Sequence, residues 1–171
     1  MRASPSRTGI ASSSAFTVGL INAASRLQNF KINKRTLAKK AIYIEQNLLK
    51  ENVGSQDQTS AAFGGLNHII FEKSGDIKVK PITISFNLLQ KLQNNILLFY
   101  TGIQRNAEEI AKSYANITED RARTLNKMSS MVDESIKILK SKDLDSFGKL
   151  LNETWKMKRS LSNAVSNSRI D

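Results

Sequence analysis

Residues 5–15 read Pro-Ser-Arg-Thr-Gly-Ile-Ala-Ser-Ser-Ser-Ala and run directly into an apolar segment from Phe16 to Leu27. The proline, glycine and hydroxyl side chains favour a loop, and the apolar segment predicts a helix over residues 12–27. Such a loop presents hydroxyls and unpaired backbone N–H groups where the helix dipole favours an anion. The stretch therefore predicts a phosphate-binding loop, although serines at this place are also ordinary helix N-caps.

Two carboxylates follow this loop. Glu45 lies in a predicted helix from Lys34 to Lys50, at the edge of an apolar face with helical spacing. Asp57 comes after Gly54 in a predicted loop. Carboxylates are hard oxygen ligands that accompany Mg²⁺ and a nucleotide. Taken alone, Glu45 fits a solvated helix residue and Asp57 fits a turn former equally well.

The loop resembles the second signature of the galactokinase, homoserine kinase, mevalonate kinase and phosphomevalonate kinase (GHMP) superfamily, roughly P-x-x-x-G-L-x-S-S-A. Within that superfamily the heptose 7-phosphate kinases are the most similar group. Their pattern is matched, in the same order, by residues 14–20, 53–58, 61–67, 99–105 and 155–161. The resemblance thus covers nearly the whole chain and implies an α+β, partial GHMP-kinase-like fold.

The resemblance also implies an activity, namely transfer of phosphate from ATP to the anomeric hydroxyl of D-glycero-D-manno-heptose 7-phosphate or a related sugar. Such kinases serve nucleotide-activated heptose and surface polysaccharide synthesis. The implied cofactors are ATP and Mg²⁺, and the implied partners are a nucleotide and a sugar phosphate. A cytoplasmic protein without membrane or nucleic-acid partners is expected, and homo-oligomerisation is left open.

Site residues are carried over from the superfamily pattern position by position. Asp57 is expected to be catalytic, and Ser13 and Glu45 are expected to ligate Mg²⁺. Gly54 and Arg105 are assigned to the substrate, although Arg105 equally fits an ion pair with Glu108 or Glu109. The nucleotide loop comprises Thr8, Gly9, Ile10, Ala11, Ser12, Ser13 and Ser14.

The sequence departs from the superfamily pattern in several places. The first and third glycine-rich signatures are not found, and Ile10 and Ala11 stand where leucine and glycine are usual. We therefore expect the middle portion of a kinase, which alone binds nucleotide weakly and turns over poorly. Residues 1–90 are expected to be the remainder of the N-terminal ATP-binding domain, and residues 91–171 the beginning of the C-terminal domain. An inactive remnant of such a kinase is the alternative.

Composition excludes several other classes of protein. The chain has no cysteine and one histidine, His68, which rules out disulfides, thiolate sites and multi-histidine metal centres. Its net charge of +11 invites a nucleic-acid-binding interpretation, but the basic residues are dispersed and form no cluster interleaved with aromatics. No acidic residue precedes Glu45, a composition also typical of transit peptides.

The remaining elements are predicted from periodicity and turn residues. Two strands, residues 66–72 and 76–84, are joined by a hairpin, and a buried strand is predicted over residues 95–100. Helices are predicted over residues 106–115, after the N-cap Thr118, and from Ser141 onward. A change of domain is expected near residues 85–95.

Overall fold

The computed structural model describes residues 10–103, 118–168 and 170. The chain divides into two compact units, with the change at Ile82 and Thr83 and a return to the first unit at Gly102. The domain assignment made from the sequence stays a prediction. The described elements combine helices with two antiparallel strands, which confirms the predicted α+β class.

The first unit opens with three helices that pack against one another around a small core. The elements are α1 (Ser12–Leu27), α2 (Lys34–Tyr43), a π-helical turn (Ile44–Leu48) and α3 (Gln56–Phe63). Asn33 caps α2 by accepting a 2.9 Å hydrogen bond from the Thr36 N–H. The buried core residues are Val18, Ile32, Leu37, Ala38, Ala41 and Ala62. Small residues on α2 let its neighbours approach closely, and Ala41 is 0% exposed.

A two-stranded antiparallel sheet follows, with β1 (Asn67–Phe71) and β2 (Ile77–Pro81). His68 lies opposite Lys80, and Pro81 ends its strand opposite Asn67. The turn uses Gly75 at φ 85°, a backbone conformation that side chains disfavour. The predicted hairpin is confirmed with shorter strands, and β2 is an edge strand as Pro81 requires.

The second unit contains three described helices. They are α4 (Phe86–Asn94), α5 (Glu119–Ser141) and α6 (Leu144–Leu161), and α5 packs against α6. The buried side chains on these two helices are Met131, Leu139, Leu150 and Leu161. Lys127 and Glu153 add an exposed ion pair of 3.3 Å between the two helices. The predicted N-cap Thr118 is confirmed, since its hydroxyl accepts from the Arg121 N–H at 3.4 Å.

Three predictions of secondary structure are corrected. The helix predicted to start at Ser141 begins instead after Asp143, whose carboxylate accepts from the Ser146 N–H at 3.0 Å. The helix predicted over residues 34–50 changes to π-helical geometry at Ile44. The buried strand predicted over residues 95–100 is wrong, because residues 96–100 are exposed and lie outside helix and strand. A strand needs a hydrogen-bonded neighbour, and the apolar pattern alone does not supply one.

The helix predicted over residues 106–115 lies outside the described residues, as do Thr8, Gly9 and Arg105. Helix α3 is not predicted from the sequence, and Asp57, expected in a loop, lies on this helix. Helix α4 is not predicted either. Its signal is present in the sequence, since Ser85 caps the helix and Leu88, Leu89 and Leu92 follow at helical spacing. None of the described helices is long and apolar enough to cross a lipid bilayer.

Candidate functional site

A buried polar cluster joins the three helices of the first unit. The Ser14 hydroxyl donates a 2.9 Å hydrogen bond to Glu45 Oε2, and the Gln58 amide Nε2 donates to the same oxygen. The three side chains are 4%, 2% and 1% exposed. Because Ser14, Glu45 and Gln58 come from α1, the π-helical turn and α3, the cluster ties together segments distant in sequence.

The π-helical turn gives Glu45 its place in this cluster. The Leu49 N–H bonds to the Ile44 carbonyl at 2.8 Å, and the Glu51 N–H to the Glu45 carbonyl at 2.9 Å. The first of these bonds spans one residue more than an α-helical bond, so the helix widens where Glu45 turns inward. Single π-helical turns inside α-helices are frequent at functional sites. The sequence predicts Glu45 at the edge of the apolar face of its helix. In the structure Glu45 is fully buried instead, at 2% exposure.

Two oxygens of the cluster lack a partner. Among the described residues, Glu45 Oε1 and Gln58 Oε1 accept no hydrogen bond although both are buried. Leaving a buried carboxylate oxygen unpaired is costly, because its interactions with water have been lost. Glu45 Oε1 and Gln58 Oε1 are therefore buried acceptors without a hydrogen-bond partner among the described residues.

The loop after the π-helical turn is fixed by Gln46. Its amide Nε2 donates to the Val53 carbonyl at 2.9 Å and to the Ser55 hydroxyl at 3.2 Å. Ser55 in turn stands at the N-cap of α3, and its carbonyl accepts from the Thr59 hydroxyl at 2.7 Å. These bonds set the start of α3, where Asp57 is exposed in the first turn.

Ser13 and Glu45, the predicted metal ligands, are not hydrogen-bonded to each other, and their assignment to a metal stays a prediction. Ser13 is exposed, and in the part of the chain that the structure describes its hydroxyl has no hydrogen-bond partner. The neighbouring Ser14 takes the place beside Glu45. Asp57 is also exposed, one residue before Gln58, and its carboxylate has no partner among the described side chains.

The described part of the predicted nucleotide loop surrounds the N-terminus of α1. Ala11 stands at the N-cap in the left-handed region, with φ 58° and ψ 27°. Ile10 is 53% exposed, Ser12 is half-buried, and neither the Ala11 side chain nor that of Ser12 caps the helix. Because no side chain caps the N-terminus of α1, this helix end offers unpaired N–H donors to an anion.

Gly54, assigned to the substrate, is exposed. Apart from its chain neighbours, no atom lies within 4 Å of where a Cβ would stand.

Sequence reasoning assigned Ser14 to the nucleotide loop but missed its hydrogen bond to Glu45, and it did not single out Gln58. Helical spacing contains the signal for Ser14, which shares a buried face with Val18 and Ser25, whereas Ser13 shares the exposed face with Phe16 and Leu20. No comparable signal marks Gln58. A glutamine in an early helical turn is usually solvated, and only the fold shows that this one is buried.

The donor set fits a hard divalent cation bound together with phosphate. Mg²⁺ is generally held by one or two carboxylates plus substrate phosphate oxygens and water. Glu45 provides one carboxylate with a free buried oxygen, and Ser14 a neighbouring hydroxyl. The described residues contain no group of three or more His, Asp or Glu side chains able to hold a metal by themselves.

Comparison with known proteins gives the family context of this arrangement. Residues 2–65 match the family described as GHMP kinases N terminal domain. The chain is 29% identical over 170 residues to a D-glycero-alpha-D-manno-heptose 7-phosphate kinase of Campylobacter jejuni, covering 98% of this chain. It is 33% identical over 133 residues to a galactokinase of Pyrococcus furiosus, covering 74% of this chain. The predicted resemblance is confirmed.

A solved structure shows the same fold. A crystal structure of a D-glycero-D-manno-heptose 1-phosphate kinase from Bacteroides thetaiotaomicron superposes with a TM-score of 0.77 at 22% identity, over 91% of this chain. The match covers 45% of that protein, and this chain spans 50% of the Campylobacter kinase and 34% of the galactokinase. The chain therefore spans half or less of the length of these relatives.

Proposed function

Because residues 2–65 carry a GHMP kinase N-terminal domain segment, we propose that the chain is the phosphate-binding, carboxylate-bearing part of an ATP-dependent sugar kinase. Its substrate is D-glycero-D-manno-heptose 7-phosphate or a related sugar, and the acceptor is the anomeric hydroxyl. The relatives named above are sugar kinases, and one is described as a heptose 7-phosphate kinase. The structural observation that carries the proposal is the buried carboxylate of Glu45, held beside the phosphate-loop helix with one oxygen free.

Each residue of the cluster has a distinct part in the proposal. Ser14 and Gln58 both donate a hydrogen bond to Glu45 Oε2. These two bonds hold the Glu45 side chain in one rotamer and so fix the position of Oε1. Ser14 and Glu45 would hold Mg²⁺, which would supply neutralisation of phosphate charge. The N-terminal N–H groups of α1 and the exposed Ser13 hydroxyl bind nucleotide phosphates. Phosphoryl transfer depends mainly on such positioning and charge neutralisation.

Asp57 acts on the sugar in this scheme. Its exposed carboxylate accepts the proton of the anomeric hydroxyl while that oxygen bonds to the γ-phosphorus and ADP leaves. Gln46 supports this role indirectly, because its bonds to Val53 and Ser55 set the start of α3. An exposed acid in a first helical turn suits a residue that meets a diffusible substrate.

The test is a hybrid enzyme in which this chain replaces the matching half of the Campylobacter jejuni kinase. Supplied with Mg-ATP and the heptose 7-phosphate, the hybrid is expected to form a sugar bisphosphate, detected as a new ³¹P resonance. General-base catalysis contributes about 10²–10⁴-fold, so Asp57→Asn is expected to lower turnover by that factor while nucleotide affinity is retained. Asp76→Asn, an exposed acid in the hairpin turn, is the matched control and is expected to keep full activity.

Two results would contradict the proposal. The first is a hybrid that is folded by circular dichroism and binds nucleotide but forms no bisphosphate. The second is Asp57→Asn with undiminished turnover, which would remove its assigned role. Glu45→Gln tests the metal-binding role of Glu45 separately from the general-base role of Asp57. Loss of a metal ligand is expected to raise the Mg²⁺ concentration needed for half-maximal nucleotide binding.

A further inference from the structure

Gln46 directly follows Glu45 in the π-helical turn, and the two side chains contact the start of α3 at different points. Glu45 accepts a hydrogen bond from Gln58, one residue after Asp57, whereas Gln46 donates to the Ser55 hydroxyl, two residues before it. Neighbouring residues of an α-helix are rotated by about 100°, and the longer hydrogen-bond spacing of a π-helical turn reduces this rotation. The turn therefore holds the chain on both sides of Asp57.

The hydroxyl of Ser55 serves this contact and not the helix that it precedes. A serine at an N-cap normally accepts a hydrogen bond from a backbone N–H of the first helical turn. Ser55 stands at the N-cap of α3, yet its side chain makes no capping bond and accepts instead from Gln46 Nε2 at 3.2 Å. The end of the helix that carries Asp57 thus lacks the usual stabilising cap. Departures of this kind from local preference are expected at functional positions.

The same amide also fixes the loop before α3. Gln46 is half-buried, and its Nε2 donates to the Val53 carbonyl at 2.9 Å. The Val53 N–H in turn bonds to the Glu51 carbonyl at 3.0 Å. At the far end of α3 the Lys34 ammonium donates to the Phe63 carbonyl at 2.6 Å. Both ends of α3 are therefore held by side chains from α2 and the π-helical turn.

We infer that Gln46 is a positioning residue, which fixes the carboxylate of Asp57 relative to that of Glu45. It acts through the Ser55 hydroxyl and the Val53 carbonyl and not on the substrate itself. Phosphoryl transfer depends on positioning, and a displacement of about 1 Å can lower a rate by about 100-fold. The inference rests on the role of Asp57 in the proposed function and adds a residue that governs turnover without binding nucleotide.

The test uses the hybrid enzyme with Gln46→Met, which keeps the length of the side chain and removes both donated bonds. We expect kcat to fall by about 10- to 100-fold, because Asp57 is displaced, while the KM for Mg-ATP is unchanged. The matched control is Asn47→Leu, which replaces an exposed amide of the same π-helical turn. The Asn47 side chain has no hydrogen bond among the described residues, so this variant should keep the kcat of the unsubstituted hybrid.

A double substitution distinguishes positioning from a merely structural role. In an Asp57→Asn hybrid the base is absent, so adding Gln46→Met should lower kcat little further, because residues that act as a unit are not additive. Should Gln46→Met fail to fold, Ser55→Ala replaces it in the same cycle. Ser55 makes no capping bond, so Ser55→Ala removes the acceptor of Gln46 without uncapping α3, and we expect a lower kcat with an unchanged KM.

The inference is overturned by an undiminished kcat, by equal losses of kcat with and without Asp57, or by a KM for Mg-ATP that rises as kcat falls. An active hybrid with any of these results rejects the positioning role alone and leaves the proposed function in place. A hybrid that forms no bisphosphate without any substitution rejects the proposed function and the positioning role together.

Discussion

Gln58 is the residue whose replacement tests the buried cluster most directly. Gln58→Met removes the amide but keeps a side chain of similar length at a position that is 1% exposed. Glu45 Oε2 then retains a hydrogen bond only from Ser14, at 2.9 Å, while Oε1 already has none among the described residues. Hydrogen bonds to charged groups contribute about 1.5–3 kcal/mol. We therefore expect the free energy of unfolding of the first unit to fall by about 2–3 kcal/mol.

The assay is native-state hydrogen exchange of the α2 amides around Ala41, which is 0% exposed and lies in the core of that unit. Every 1.4 kcal/mol is about a tenfold change, so their exchange rates should rise roughly 30- to 150-fold in Gln58→Met. The control is Gln56→Met on the same helix, where the glutamine is exposed. Exposed substitutions change stability by less than about 0.5 kcal/mol, so its exchange rates should differ little from the wild type.

A second pair of variants isolates the contact itself. In a Glu45→Met background the carboxylate is gone, so adding Gln58→Met should cost much less than it does in the wild type. The difference is the coupling energy, for which contacting residues give about 0.5–3 kcal/mol. Equal costs in both backgrounds, or a Gln58→Met variant as stable as Gln56→Met, would refute the reasoning that Gln58 pairs with a buried carboxylate.

Two further predictions concern local features. Ala11→Gly is expected to stabilise the chain by up to about 1 kcal/mol in urea unfolding, because Ala11 has φ 58°, a left-handed conformation that costs an L-residue about 1–2 kcal/mol and glycine little; a destabilised variant would contradict this. At Asp143, hydrogen bonds from Ser146 hold the pKa of the carboxyl below its usual 3.8. A depressed pKa stabilises the folded state above the unfolded value, so wild type should exceed Asp143→Asn in stability at neutral pH. That advantage should disappear as pH falls through the acidic range below about 4, and a difference independent of pH would reject the charge as its source.

Local patterns predict the helices and the hairpin well because their signals lie within a few residues. The apolar period of α1, the N-cap Thr118 and the glycine turn at Gly75 each act through neighbours in the chain. One error arises from a choice between two neighbouring cap candidates. Ser141 was chosen as an N-cap, although Asp143 two residues later accepts the capping bond and Ser141 ends α5.

The sequence does not determine which side chains of the candidate site are buried. The superfamily pattern selects the region of residues 8–14, Glu45 and Asp57, but does not determine which of three consecutive serines faces inward. A helical rotation of about 100° per residue separates Ser13 from Ser14, and packing of Val18 decides which of them faces the core. Gln58 shows the same limit, since its burial depends on the approach of three segments that no short window of sequence contains.

The wrong prediction at residues 96–100 has the clearest physical explanation. Five apolar residues between Asn95 and Gly102 predict a buried strand, and the side chains are those of a strand with two covered faces. The structure exposes them, because in the described part of the chain no strand pairs with their backbone. The sequence pattern is therefore that of a strand covered on both faces. The described residues do not form such a sheet around this segment.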